Sequence, residues 1–161
     1  MTSLASVMLW GLFATAAMTI VLQTSQGLGW SRLSLPFLVG TLFTGMRGRA
    51  TVLGFVLYTI GGWLFAGLYY ALFASVGIFT WWFGALIGFG HGLFLVVCAL
   101  PLFPFLHPRM ASVYHGASSL RQLEPPGFMG LNYGYGTPAT AVTAQTVYGL
   151  TLGGLMQLAA T

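Results

Sequence analysis

Four stretches of this chain, residues 3–22, 50–74, 81–100 and 139–158, contain no formally charged residue. Each is close to the ~20 apolar residues that a helix needs to cross the hydrocarbon core of a bilayer. Lipid offers no hydrogen bonds to an open backbone, so such stretches become helices. The whole chain holds five Arg and one Glu in 161 residues, where a soluble domain carries roughly 25% charged residues. It cannot cover a water-facing surface with polar groups. The expected fold is all-α: one domain over residues 1–161, a polytopic integral membrane four-helix bundle with an additional interfacial or re-entrant helix.

The same scarcity removes much chemistry. One carboxylate, Glu124, cannot make a paired acid/base site, a di-iron cluster or an acidic magnesium site. Without Lys there is no Schiff base and no phosphate loop of the Walker type. The single cysteine, Cys98, excludes an intrachain disulfide and any paired-cysteine motif, and its apolar surroundings predict a small buried hydrophobe. Five scattered Arg form no dense basic cluster, so nucleic acid is not an expected partner. The chain is apolar from Leu4 onward with no basic leader, which reads as a first span rather than a cleaved signal.

The connections between the spans carry the polar residues. In the first, Ser34 and Pro36 suit a helix start, and Leu35, Leu38, Val39, Leu42 and Met46 recur at helical spacing. This predicts a helix over about 34–46, too short to span, lying at the interface or dipping shallowly into it. Trp30 and Arg32 belong at headgroup level, as do Trp81 and Trp82 after the short second connection. The third connection, 101–138, is the longest, and Pro101 and Pro104 are expected to end the third helix. All five Arg fall in the first and third connections: Arg32, Arg47, Arg49, Arg109 and Arg121. The positive-inside rule then places these connections in the cytoplasm and both termini outside. Each Arg is a candidate contact to a lipid headgroup or to a loop carbonyl.

Small residues set the expected packing. Gly84, Gly88 and Gly92 form one ridge in the third span. Ala141, Gln145, Gly149 and Gly153 form another in the fourth. Such ridges admit close helix approach, either within the bundle or against a partner subunit or a flat pigment ring. Gln145 needs a hydrogen-bond partner near mid-membrane, for which Tyr58 or a backbone carbonyl is available. The nearby Thr residues can bond back to their own helix. Trp63, Phe65, Tyr69, Tyr70 and Phe73 read as lipid-facing bulk or a docking face.

His91, between Gly90 and Gly92, is the residue with the most chemistry to offer inside the membrane. It either bonds neutrally across the bundle, to Gln145 or Tyr58, or serves as an axial ligand to haem or chlorophyll. His107, His115 and Glu124 match no standard metal-ligand spacing and read as surface residues. Arg121 and Glu124, three apart, suit a local ion pair. The scattered Met residues read as core filling.

The segments His107-Pro-Arg-Met110, Arg121-Gln-Leu-Glu-Pro-Pro-Gly-Phe128 and Asn132-Tyr-Gly134, with Trp81-Trp82 and His91-Gly92, resemble a family of small four-helix bacterial inner-membrane proteins with no known activity. The resemblance implies a bacterial inner membrane and a long loop of fixed structure. It assigns no site residue.

The leading expectation for function is a non-catalytic accessory or structural subunit of a larger membrane complex: respiratory, photosynthetic or a membrane oxygenase. Its partners would be other integral membrane subunits and phospholipids. No cofactor is firmly implied beyond bound lipid. The alternatives are a small transporter or channel for a neutral solute, a haem or chlorophyll protein using His91, and a headgroup-directed enzyme using His115, Arg109, Arg121 and Glu124.

Overall fold

The computed structural model describes residues 3–112, 118, 120 and 122–160. Helix accounts for 77% of the chain, and among the described residues no strand forms, so the class is all-α. The helices run α1 (Leu4–Gly27), α2 (Leu35–Thr41), α3 (Arg47–Val76), α4 (Trp81–Phe94), α5 (Leu100–Leu106) and α6 (Thr137–Ala160). A π-helical turn, Leu95–Ala99, joins α4 to α5, and a 3-10 segment, Phe128–Tyr133, precedes α6. Among the described residues, three helical stretches are long and apolar enough to cross a membrane: α1, α3 and Trp81–Leu106.

The ends of these helices have local causes. Ser3 caps α1 by accepting the Ser6 N–H at 3.2 Å, which satisfies one of the orphan donors of a first turn. α3 stops at Gly77, whose positive φ of 75° closes the last turn onto the Phe73 carbonyl. Glycine takes that left-handed conformation without strain. Thr80 gives α4 no side-chain cap. Gln157 supplies one from α6 instead, its Oε1 accepting the Trp81 N–H at 3.0 Å.

Two expectations about helix limits change. Pro101 and Pro104 do not end the third helix, which continues to Leu106. Each proline lacks an N–H and crowds the carbonyl four residues earlier. The π turn just before Pro101 relieves that conflict by widening the backbone, with Leu100 N–H donating to the Leu95 carbonyl five residues back. It also sets the facing of this stretch: Val96 is fully buried, while Cys98 is exposed rather than buried. The helix expected over 34–46 shrinks to the seven residues of α2, because Thr41 and Leu42 give their carbonyls to Arg109 Nη1, at 2.7 and 3.0 Å, instead of to further helical turns.

Packing follows the small residues. α1 lies on α3 where Gly11 meets Ala66 and Gly62 meets Thr15. α2 lies on the start of α3 where a methyl group on Gly40 would overlap the Ala50 carbonyl. α4 lies on α6 through two facing ridges. A methyl on Gly88 would overlap the Gln145 carbonyl, and one on Gly92 would sit 2.7 Å from Val142 Cα. Gly149 and Gly153 in turn press on Gly84. Between α3 and α4 the gap is wider and filled by rings. Phe73 stacks against Phe83 at 5.6 Å and Phe65 against His91 at 4.4 Å. Tyr69 and Phe73 are therefore core residues, 4% and 0% exposed, and not lipid-facing bulk.

α6 is as long as α1, 24 residues each, but less apolar, and several of its polar side chains are taken up by neighbours. Thr140 Oγ1 pairs with Ser25 Oγ at 2.7 Å, and Thr137 Oγ1 with Ser31 Oγ at 2.8 Å. Tyr148 donates to the Gly62 carbonyl at 2.7 Å. Of the threonines expected to bond back to their own helix, Thr146 does so, to Val142 O at 2.8 Å, while Thr140 reaches across to α1. α6 thus binds α1, α3, α4 and the first connection together.

Candidate functional site

The two Arg-bearing connections meet over one end of the helices. Arg32 N–H donates to the Tyr133 carbonyl at 2.6 Å, and Gly136 N–H to the Trp30 carbonyl at 3.2 Å. Arg32 Nη2 reaches Asn132 O at 2.6 Å and Glu124 Oε2 at 3.2 Å. Glu124 therefore pairs with Arg32. Its expected partner Arg121, like His115, lies outside the described residues. Tyr133 donates to the Glu124 carbonyl at 2.7 Å. Burial and the nearby carboxylate push its hydroxyl up to about 12, so it stays a donor.

His107 is part of this joint. It is 3% exposed, where a surface residue was expected. Its Nδ1 accepts the Arg109 backbone N–H at 3.1 Å, so Nε2 carries the proton of the neutral ring. That Nε2–H faces Thr41 Oγ1 at 3.1 Å and the Leu38 carbonyl at 3.3 Å. Burial, and then the Arg109 charge, lower its pKa below the usual 6.5, outweighing the Leu38 carbonyl. With the Arg109 guanidinium on Thr41 and Leu42, the pair closes the C-terminal end of α2, where cations are favoured.

Below this joint, between α1, α2 and α3, lies a cavity of about 770 Å³. Arg32, Arg47 and Arg109 all line it, with Gln23, Gln26, Ser34 and Thr51. Thr41 and Gln122 line it as well, its apolar walls are Leu22, Phe37, Phe55 and Leu123, and Thr19 and Tyr58 lie furthest along α1 and α3 from the arginines. Thr19 Oγ1 donates to the Tyr58 hydroxyl at 3.3 Å. The three arginines differ in how they are held. Arg32 has Glu124, and Arg109 has the end of α2. Arg47 is exposed, and its guanidinium has no hydrogen-bond or ion-pair partner among the described residues. It also opens α3, whose first turn has no side-chain cap and so presents the positive end of the helix dipole. Arg49, two residues on, does not line the cavity.

The other sequence candidates sit in the helical layer. His91 Nδ1 lies 3.1 Å from the Tyr69 hydroxyl, so it bonds across to α3, but to Tyr69 and not to Gln145 or Tyr58. Tyr69 in turn meets Tyr148 edge-on at 5.5 Å. Gly84, Gly88, Gly92, Gln145, Gly149 and Gly153 form the α4–α6 contact. The space beside Gly88 and Gly92 is filled by α6 and leaves no gap for a flat ring on that side.

The cavity gathers residues that sequence spacing left scattered. Gln23 and Gln26, three apart at the end of α1, were the one local signal of a polar inward face. No family model matches the sequence, and neither a curated protein nor a solved structure matches it.

Proposed function

We propose that the chain is a four-span protein of the bacterial inner membrane, acting as a non-catalytic accessory or structural subunit of a larger membrane complex. In this reading α6 makes the fourth crossing. Thr137, Thr140 and Gln145 are buried and Gln157 accepts the Trp81 N–H, which lowers the cost of polar groups in hydrocarbon. α2, about 10 Å long at 1.5 Å per residue, lies at the interface beside α3. The joined Arg-bearing connections face the cytoplasm and both termini lie outside.

One observation carries the partner reading. Gly61, Gly67 and Gly90 lie well inside α3 and α4, yet a methyl group at any of them would meet nothing within 4 Å. A glycine inside a helix costs ~1 kcal/mol relative to alanine. The inward glycines are explained by close packing, and these three are not explained inside the chain. They are the residue type that lets the backbone of a neighbouring helix approach. Other integral membrane subunits, with phospholipids between, would cover them.

The test is mild-detergent extraction, native separation and mass spectrometry of the band. The expected result is a large complex with stoichiometric partners. Gly67→Leu and Gly90→Leu should weaken co-migration without lowering the melting temperature of the chain. A chain that runs alone contradicts the reading.

A second reading keeps His91 as a haem or chlorophyll ligand. Its Nδ1 is steadied by Tyr69, as ligating histidines are by an outer hydrogen bond, and Gly90 beside it faces open space. An absorption band lost in His91→Ala would support it, and a colourless complex would remove it.

A further inference from the structure

We infer that the arginine-lined cavity is a binding site for an amphiphile with a net anionic phosphate headgroup, seated with the phosphate at Arg47 and its apolar tail running toward Tyr58.

Three features carry this. The first is charge. Arg32, Arg47 and Arg109 come from separate parts of the chain and line one cavity. One of the three is balanced by Glu124 at 3.2 Å, and His107 beside them is held neutral by its bonds to Arg109 N–H and the end of α2. Two cationic charges are left for one phosphate. Arginine suits it, because the guanidinium fork matches phosphate oxygens. The uncapped first turn of α3 adds backbone N–H groups at the same rim.

The second is length. Arg47 and Tyr58 are eleven residues apart on α3, about 16 Å at 1.5 Å per residue. A free phosphate would occupy only one end of such a cavity. The third is the gradient in the lining, from arginine, glutamine and threonine at one end to Leu22, Phe37 and Phe55 further in, closed by Thr19 and Tyr58, whose hydroxyls bond to each other. The volume of about 770 Å³ lies within the ~300–1,000 Å³ of small-ligand sites. Basic pockets between helices on the cytoplasmic side are places where phospholipid headgroups bind.

This inference goes beyond the accessory-subunit reading and does not need it, since every residue that lines the cavity comes from this one chain. The test titrates phosphatidylglycerol, phosphatidylcholine and inorganic phosphate separately into the full chain in a neutral detergent. Melting temperature and native mass spectrometry are the readouts. Phosphatidylglycerol should give a saturable rise in melting temperature and a retained one-to-one adduct. Phosphatidylcholine and inorganic phosphate should give neither. Arg47→Gln removes an exposed side chain that supports no other residue, so the variant should fold. It should weaken phosphatidylglycerol about fivefold, the worth of one basic residue at a membrane surface. Arg49→Gln removes the same charge two residues away and should leave binding unchanged. An equal loss in both variants would mean general surface attraction and would overturn the site. Equal binding of phosphatidylcholine, whose phosphate is offset by its choline cation, would overturn the requirement for a net anionic headgroup. Saturation by inorganic phosphate alone would overturn the amphiphile in favour of a soluble anion.

Discussion

At the scale of single residues, His107 makes the sharpest prediction. In the folded chain both ring nitrogens are engaged, and a second proton on Nδ1 would face the Arg109 N–H donor instead of accepting from it. Its folded pKa lies below the unfolded value near 6.5. Between those two values the unfolded chain binds more protons, so stability falls as pH drops through that window and is fully present above it. Thermal unfolding in detergent should show a lower melting temperature at pH 5 than at pH 7.5, and His107→Gln should flatten that slope. A slope unchanged in the variant would assign it to another group. Tyr148→Phe is a milder case. It removes the hydroxyl that donates to Gly62 O, and such bonds between membrane helices are worth about 0.6 kcal/mol, measurable as a small loss in unfolding free energy. Neither residue was legible as structural in the sequence. A histidine in a polar connection reads as a surface group until the turn that buries it is known. Cys98 misled for the opposite reason, since an apolar run does not reveal which side of a helix faces out.

At the scale of elements, the glycine ridges were legible because a four-residue period needs only the helix geometry to predict a smooth face. Their destination was not, since the same face could meet a sister helix or another chain. The structure brings Gly84, Gly88 and Gly92 against Gly149, Gly153 and the Gln145 backbone. Gly88→Leu should therefore cost more than the ~1–3 kcal/mol typical of an overpacked core, because the group it strikes is backbone and cannot rotate away. Gly67→Leu should not destabilise the isolated chain and should stabilise it by up to ~1 kcal/mol, the helix-propensity cost of the glycine. Detergent melting of the two variants side by side measures the difference. Equal losses would mean that the two sides of the helices are packed alike. Helix limits were less legible. Pro101 and Pro104 are strong stop signals locally, and the π turn that carries the helix past them leaves no mark in residue type.

At the scale of the whole molecule, near-absence of charge was enough to read an all-helical, membrane-type chain. The arginine distribution marked which connections share a side. The cavity was not legible, because its lining comes from α1, α2, α3 and the third connection, which only the fold brings together. The number of crossings turns on α6. It is the least apolar of the long helices, yet it contacts the others through Ser25–Thr140, Tyr148–Gly62 O and Gln157–Trp81 N–H. If it sits at the centre of the bundle, it crosses the membrane with α1, α3 and the α4–α5 unit, and an even number of crossings returns the chain to its starting side. The direct measurement places a reporter of membrane sidedness at each end of the chain in turn, with a third in the loop at Leu120. The account predicts both ends outside and Leu120 in the cytoplasm. Ends on opposite sides would mean three crossings, leaving α6 outside the bilayer, and would contradict it.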